Sequence, residues 1–109
     1  MNTTEKFEFT NDNGRPFGLR ILRAGDKYGR NRTLTHEDHD RMSVEFYDLT
    51  YRNQKGFGEE GQFVSRYYVE TLLENPNDNA ALQLDGGVPE WTIGAEEMVA
   101  IRAWLKILK

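Results

Sequence analysis

Apolar and polar residues first alternate along Lys6-Phe7-Glu8-Phe9-Thr10, the two-residue period of a half-buried strand. The alternation returns in Phe17-Gly18-Leu19-Arg20-Ile21-Leu22-Arg23. Between the two runs lies Asn11-Asp12-Asn13-Gly14-Arg15-Pro16, and its Asn-Gly pair is the usual signal of a two-residue hairpin loop. Parity argues for a longer one. A loop at Asn13-Gly14 would set Phe9 across from Gly18 and Phe7 across from Arg20, mixing apolar and charged side chains on one face. A three-residue loop, Asp12-Asn13-Gly14, sets Phe9 against Phe17 and Phe7 against Leu19, so the apolar set is continuous. That loop requires a left-handed residue where Gly14 stands. Pro16 then opposes Thr10, where its missing N–H costs no ladder bond.

Residues 24–41 are polar and read as a long loop or a frayed strand; a structureless loop of this length in a small domain would itself point to function. Met42 to Tyr51 is the clearest strand, yet its phase slips. Met42, Val44 and Phe46 share one face, whereas Tyr47, Leu49 and Tyr51 share the other. A bulge near Phe46-Tyr47 reconciles the sets; otherwise both faces are partly covered. After a glycine-rich loop over 52–61, Phe63, Val64, Tyr67, Tyr68, Thr71 and Leu72 recur at helical spacing. The expectation is an extended Gln62–Val64 and a helix over Arg66–Glu74 capped by Ser65 and stopped before Pro76. Leu82-Gln83-Leu84 reads as a short strand. Ala95–Leu108 is a helix with Met98, Ile101, Leu105 and Leu108 as its stripe, broadened by Trp104 and Val99. Its acids Glu96 and Glu97 lie at the positive end and Lys106 and Lys109 at the negative end.

These elements make an α+β fold: an antiparallel sheet from the N-terminal hairpin, the central strand and the short later strand, packed against two helices on one face. At 109 residues the chain fits one domain, 1–109. No cysteine is present, which removes disulfides, thiolate metal sites and cysteine nucleophiles and suits a reducing compartment. The N-terminus lacks the apolar core of a signal peptide, and no run approaches the roughly 18–20 apolar residues of a membrane span. The expected location is cytoplasmic.

The net charge of −4 conceals a segregation. Residues 13–33 hold six bases against Asp26 alone, a net +5, whereas 34–109 carry a net −7. Such a division can steer a partner to one face. The candidate partner-binding residues are therefore Arg20, Arg23, Lys27, Tyr28, Arg30 and Arg32. The other cluster, His36-Glu37-Asp38-His39-Asp40, has five consecutive residues of metal-ligating or acid–base type. Its histidines are three apart, not the four of a zinc-binding helix, and no calcium-loop pattern accompanies them. A true site there needs a ligand from another segment, Glu45, Glu59 or Glu60 being nearest in sequence. Lys55-Gly56-Phe57-Gly58 resembles the start of an RNA-recognition motif, but Glu59-Glu60 break the pattern and would repel phosphate. Arg66-Tyr67-Tyr68 with Tyr47, Tyr51 and Trp91 has hot-spot composition, which core packing explains equally.

No nucleophile elbow, Walker loop or dinucleotide fingerprint occurs, and no cofactor is expected. The function these features favour is a small non-enzymatic protein-binding or regulatory domain. It would suit a bacterial or phage accessory factor, including an inhibitor of a host complex. The alternatives are a nucleic-acid-binding module using the basic 15–32 stretch and a metal-dependent enzyme centred on His36 and His39.

Overall fold

In the computed structural model, residues 6–23, 27–28, 32–33, 42–74, 81–84 and 89–108 are described. Strands β1 (Lys6–Thr10) and β2 (Pro16–Leu22) form the N-terminal hairpin. Strands β3 (Lys27–Tyr28) and β4 (Arg32–Thr33) pair as a separate ribbon. Then follow β5 (Ser43–Asp48), β6 (Gln62–Tyr68) and helix α1 (Val69–Leu73). Strands β7 (Leu82–Gln83) and β8 (Thr92–Ile93) form a second ribbon, and helix α2 (Ala95–Leu108) closes the described chain. The main sheet is antiparallel with order β1-β2-β5-β6, so the fold is α+β.

The hairpin takes the register that parity selects. Phe9 faces Phe17, Phe7 faces Leu19 and Thr10 faces Pro16, and Gly14 sits at φ 81°. Asn11 fixes the turn: its Oδ1 accepts from Asn13 N (3.0 Å) and Arg15 N (2.9 Å). Its Nδ2 donates to the Glu90 and Thr92 carbonyls at 2.8 and 3.0 Å, tying the turn to the segment that leads into α2.

One sheet face is the core face. Phe17, Leu19, Ile21, Val44 and Phe46 lie on it, and Val69, Leu72, Leu84, Ile93, Met98, Ile101 and Leu105 pack over them. Both helices cover this face, as the apolar stripe of α2 requires; Met98, Ile101 and Leu105 are fully buried. Val99 departs from expectation: it is 49% exposed, on the outer side of the helix. In its stead Arg102 is buried, its Nε donating to the Leu72 carbonyl of α1 at 3.0 Å.

Three expectations are corrected. The helix over Arg66–Glu74 is largely strand: β6 runs to Tyr68 and Ser65 caps nothing, the helix starting only at Val69. Leu82-Gln83 pairs with β8 in its own ribbon instead of joining the main sheet. The irregularity at Phe46-Tyr47 is real, but the extra residue is Val64 of β6, since Phe46 faces Ser65 and Tyr47 faces Phe63. β5 itself runs unbroken against β2 and is buried on both faces.

Candidate functional site

The sheet face opposite α1 and α2, which carries no helix among the described residues and is called the helix-free face, holds the distinctive chemistry. Across β1, β2, β5 and β6 the register sets Lys6, Arg20, Glu45 and Arg66 in one row, with Glu8, Gly18, Tyr47 and Phe63 in the next. Glu45 is fully buried, and its Oε1 accepts the Tyr47 hydroxyl proton at 2.8 Å. Burial and then this bond to a carboxylate push the Tyr47 phenol above its ordinary range, so it remains a neutral donor. The Arg66 guanidinium lies 5.2 Å from the centroid of the Tyr68 ring, a cation–π contact. Phe63, 37% exposed, meets Tyr47 edge-on with centroids 5.7 Å apart.

The connection between β5 and β6 builds a wall on this face. It is a succession of tight turns, with Asn53 N to the Gly58 carbonyl (2.9 Å) and Phe57 N to the Gln54 carbonyl (2.8 Å). Asn53 and Lys55 take positive φ within it. Tyr51 stacks on Phe57 at 6.4 Å, and Lys55 Nζ sits 4.2 Å over the Tyr51 ring. The stretch resembling an RNA-recognition motif is thus folded into a turn, with Phe57 engaged by Tyr51 rather than presented from a strand.

Two ion pairs brace the wall to the sheet: Arg20 to Glu60 at 2.6 Å and Arg52 to Glu8 at 2.9 Å. Between them opens a groove of about 70 Å3 whose floor is Gly18, Tyr47 and Leu49. Gly18 lets Leu49 lie close over β2. A Cβ there would come within 3.2 Å of Leu49, which lies across the glycine as an apolar floor. Lys6 and Glu59 stand at the rim without an ion pair among the described residues. The groove therefore offers an apolar bottom, balanced charge around it and two arginines.

Asp48, at the end of β5, organises the opposite face. It accepts from Thr50 N (2.9 Å), Thr50 Oγ1 (2.6 Å) and Trp91 Nε1 (2.9 Å), with Arg15 Nε at 3.7 Å. Burial pushes its carboxyl up, but the Thr50 bonds, the Trp91 bond and the Arg15 charge together hold it below the ordinary range. At the start of α2, Glu97 accepts the Gly94 N–H at 2.7 Å, and Asp12 from the hairpin turn approaches the same glycine. Burial and the Asp12 carboxylate raise Glu97.

Of the residues singled out in the sequence, Arg20 lies in the groove, paired with Glu60. Arg23 turns elsewhere, its Nη1 3.8 Å from Met42 Sδ, and Met42 has the parity of core-face Val44. The two arginines thus do not form one basic face. Lys27, Tyr28 and Arg32 are in the β3–β4 ribbon, Tyr28 across from Arg32. Arg30 and the whole of His36, Glu37, Asp38, His39 and Asp40 lie outside the described residues. Of the acids proposed to join that cluster, Glu45 is buried against Tyr47 and Glu60 is held by Arg20. Among the described residues no group of three or more histidine, cysteine or acidic side chains is placed to hold a metal. The aromatic set disperses: Tyr67 packs edge-on to Phe46 on the core face, whereas Tyr68 belongs to the helix-free one.

Sequence reasoning missed Arg52, Leu49 and Gly18 as groove residues and named Glu60 only as a neighbour of the histidine cluster. The available signal was Gly18 itself, a glycine inside a strand, which marks close approach of another group. No family model, curated protein or solved structure matches the chain. Among the described residues no helix is long and apolar enough to cross a membrane.

Proposed function

We propose that the chain is a small non-enzymatic protein-binding domain, of accessory or inhibitory type, that engages its partner through the helix-free face of the sheet. The groove carries this reading. At about 70 Å3 it has room for the end of one side chain, far less than the roughly 300–1,000 Å3 that encloses a small-molecule ligand. Its apolar floor would desolvate that side chain while Arg20 and Arg52, already oriented by Glu60 and Glu8, supply polar contacts around it. Arginine and aromatic residues around a small pocket are the composition of a binding hot spot. Exposed Phe63 and the Arg66–Tyr68 pair extend the same face beyond the groove.

The test is affinity capture from native lysate, identification of the retained protein, and titration of that purified partner against wild type and an Arg20→Ala/Arg52→Ala variant. The expected loss is about thirtyfold in Kd, as for a hot-spot pair. A partner bound equally by wild type and variant, or retention of nucleic acid alone, would contradict the reading. The second outcome would favour the β3–β4 ribbon, whose paired strands carry Lys27 and Arg32. In that case affinity should fall steeply with salt.

A further inference from the structure

β1 is an edge strand of the main sheet, and its exposed side chains are charged or polar. It runs five residues against β2 without a register shift, whereas the other edge, β6, is interrupted by the bulge at Val64. The Asn11 N–H donates to the Arg15 carbonyl across the hairpin. Ladder bonds in an antiparallel pair alternate, so Phe9 and Phe7 bond inward to β2. Lys6, Glu8 and Thr10 then direct their N–H and C=O groups outward. Among the described residues no backbone bond reaches that edge.

The side chains on this edge are self-complementary. Lys6 and Glu8 project on the helix-free face, and half-buried Phe7 and Phe9 project on the core face. An apolar flank continues beyond them. On α2, Arg102 reaches α1 through the Leu72 carbonyl, whereas Trp104 packs on Phe7 with centroids 5.2 Å apart. At about 100° per residue, Ile107 falls about 60° from Trp104 on the side away from buried Ile101 and Leu105, so of the two only Trp104 extends the apolar flank of β1. Ile107 is 81% exposed.

We infer that the chain forms a two-fold homodimer by antiparallel pairing of β1 with β1 of a second copy, joining two four-stranded sheets into one of eight. Charge selects the register. Pairing Glu8 with Glu8 of the second copy would oppose like charges, which is unfavourable. Pairing Lys6 with Glu8 of the second copy, and Glu8 with its Lys6, sets opposite charges face to face twice. The two Phe7 residues then meet as a non-hydrogen-bonded pair, the closest side-chain approach in such a ladder. Residues opposite each other share a face, so both helix-free faces lie on one side of the joined sheet. The surface is isologous, as a closed dimer requires.

Sedimentation velocity on the full chain at about 100 μM should report a dimer. K6E and E8K each convert both attractive pairs to repulsive ones and should raise the dimer dissociation constant at least about tenfold. Circular dichroism should show both variants folded, since each change is at an exposed position and the Arg52–Glu8 pair that E8K removes is itself solvent-exposed. Mixing K6E with E8K aligns every opposed pair favourably. The mixture should recover a dimer whose native mass is that of one copy of each variant. A wild-type chain that stays monomeric to about 0.5 mM, a dimer that survives both swaps, or swaps not rescued by mixing would overturn the proposal.

Discussion

Gly14 and Gly61 occupy the left-handed region at φ 81° and 78°, but for different physical reasons. A Cβ on Gly14 meets nothing within 4 Å, so only backbone conformation demands glycine. A Cβ on Gly61 would lie 2.4 Å from the Asp48 carbonyl oxygen, where β5 and the wall of the groove meet. Gly14→Ala should therefore cost about 1 kcal/mol. Gly61→Ala should cost at least about 2 kcal/mol more, because a backbone must shift as well. Urea denaturation of the two variants side by side reads the difference, and equal losses would show that the clash is relieved easily. Asn11 makes four hydrogen bonds from a buried position. Asn11→Asp would turn a carboxylate oxygen toward two carbonyls and should cost about 3 kcal/mol by the same assay. The pair at α2 predicts a pH dependence. Glu97 is raised in the folded chain, so between its unfolded and folded values the folded state holds the proton that the unfolded state has lost. Wild-type stability should fall relative to Glu97→Gln as pH rises from about 4.3 through that window, and level off above it. A stability difference independent of pH would show that burial and Asp12 do not raise Glu97 in the folded chain.

At the scale of elements, what was legible followed from parity and what was not followed from its disturbance. The hairpin register could be derived because Phe7, Phe9, Phe17 and Leu19 must share a face, and only one loop length permits it. Helix α2 was equally plain, since nothing competes with its period. Ile101→Ala or Leu105→Ala should cost about 2–4 kcal/mol by opening a cavity beneath it. Val99→Ala, on the exposed side, should cost about half a kcal/mol or less. Losses of similar size at all three positions would mean that α2 is seated differently. β6 was misread for a physical reason. Its extra residue at Val64 shifts the phase, and apolar side chains stand on both faces, Phe63 and Tyr68 on one and Tyr67 on the other. A bulged strand covered on two sides imitates the spacing of a helix. β5 is the related case: Val44 and Phe46 bury on one face while Glu45 and Tyr47 bury on the other, so simple alternation is lost.

At the scale of the whole molecule, the segregation of charge visible in the sequence does not survive as a single basic surface among the described residues. Arg20 is drawn into an ion pair with Glu60, Arg15 lies 3.7 Å from Asp48, and Arg23 points toward Met42. The groove could not be read from the sequence because its parts come from β1, β2, β5 and the turn-rich wall, brought together only by the register of the sheet. Arg20 is the one residue shared by the basic stretch singled out in the sequence and the groove. The most direct test of partner binding through the helix-free face is an amide chemical-shift titration of the labelled chain with its captured partner. Shifts should concentrate at Gly18, Arg20, Leu49, Arg52 and Glu60 and extend to Phe63 and Tyr68, leaving Glu96, Val99 and Ala103 of α2 unmoved. Shifts confined to α2, with the groove residues unchanged, would contradict the account.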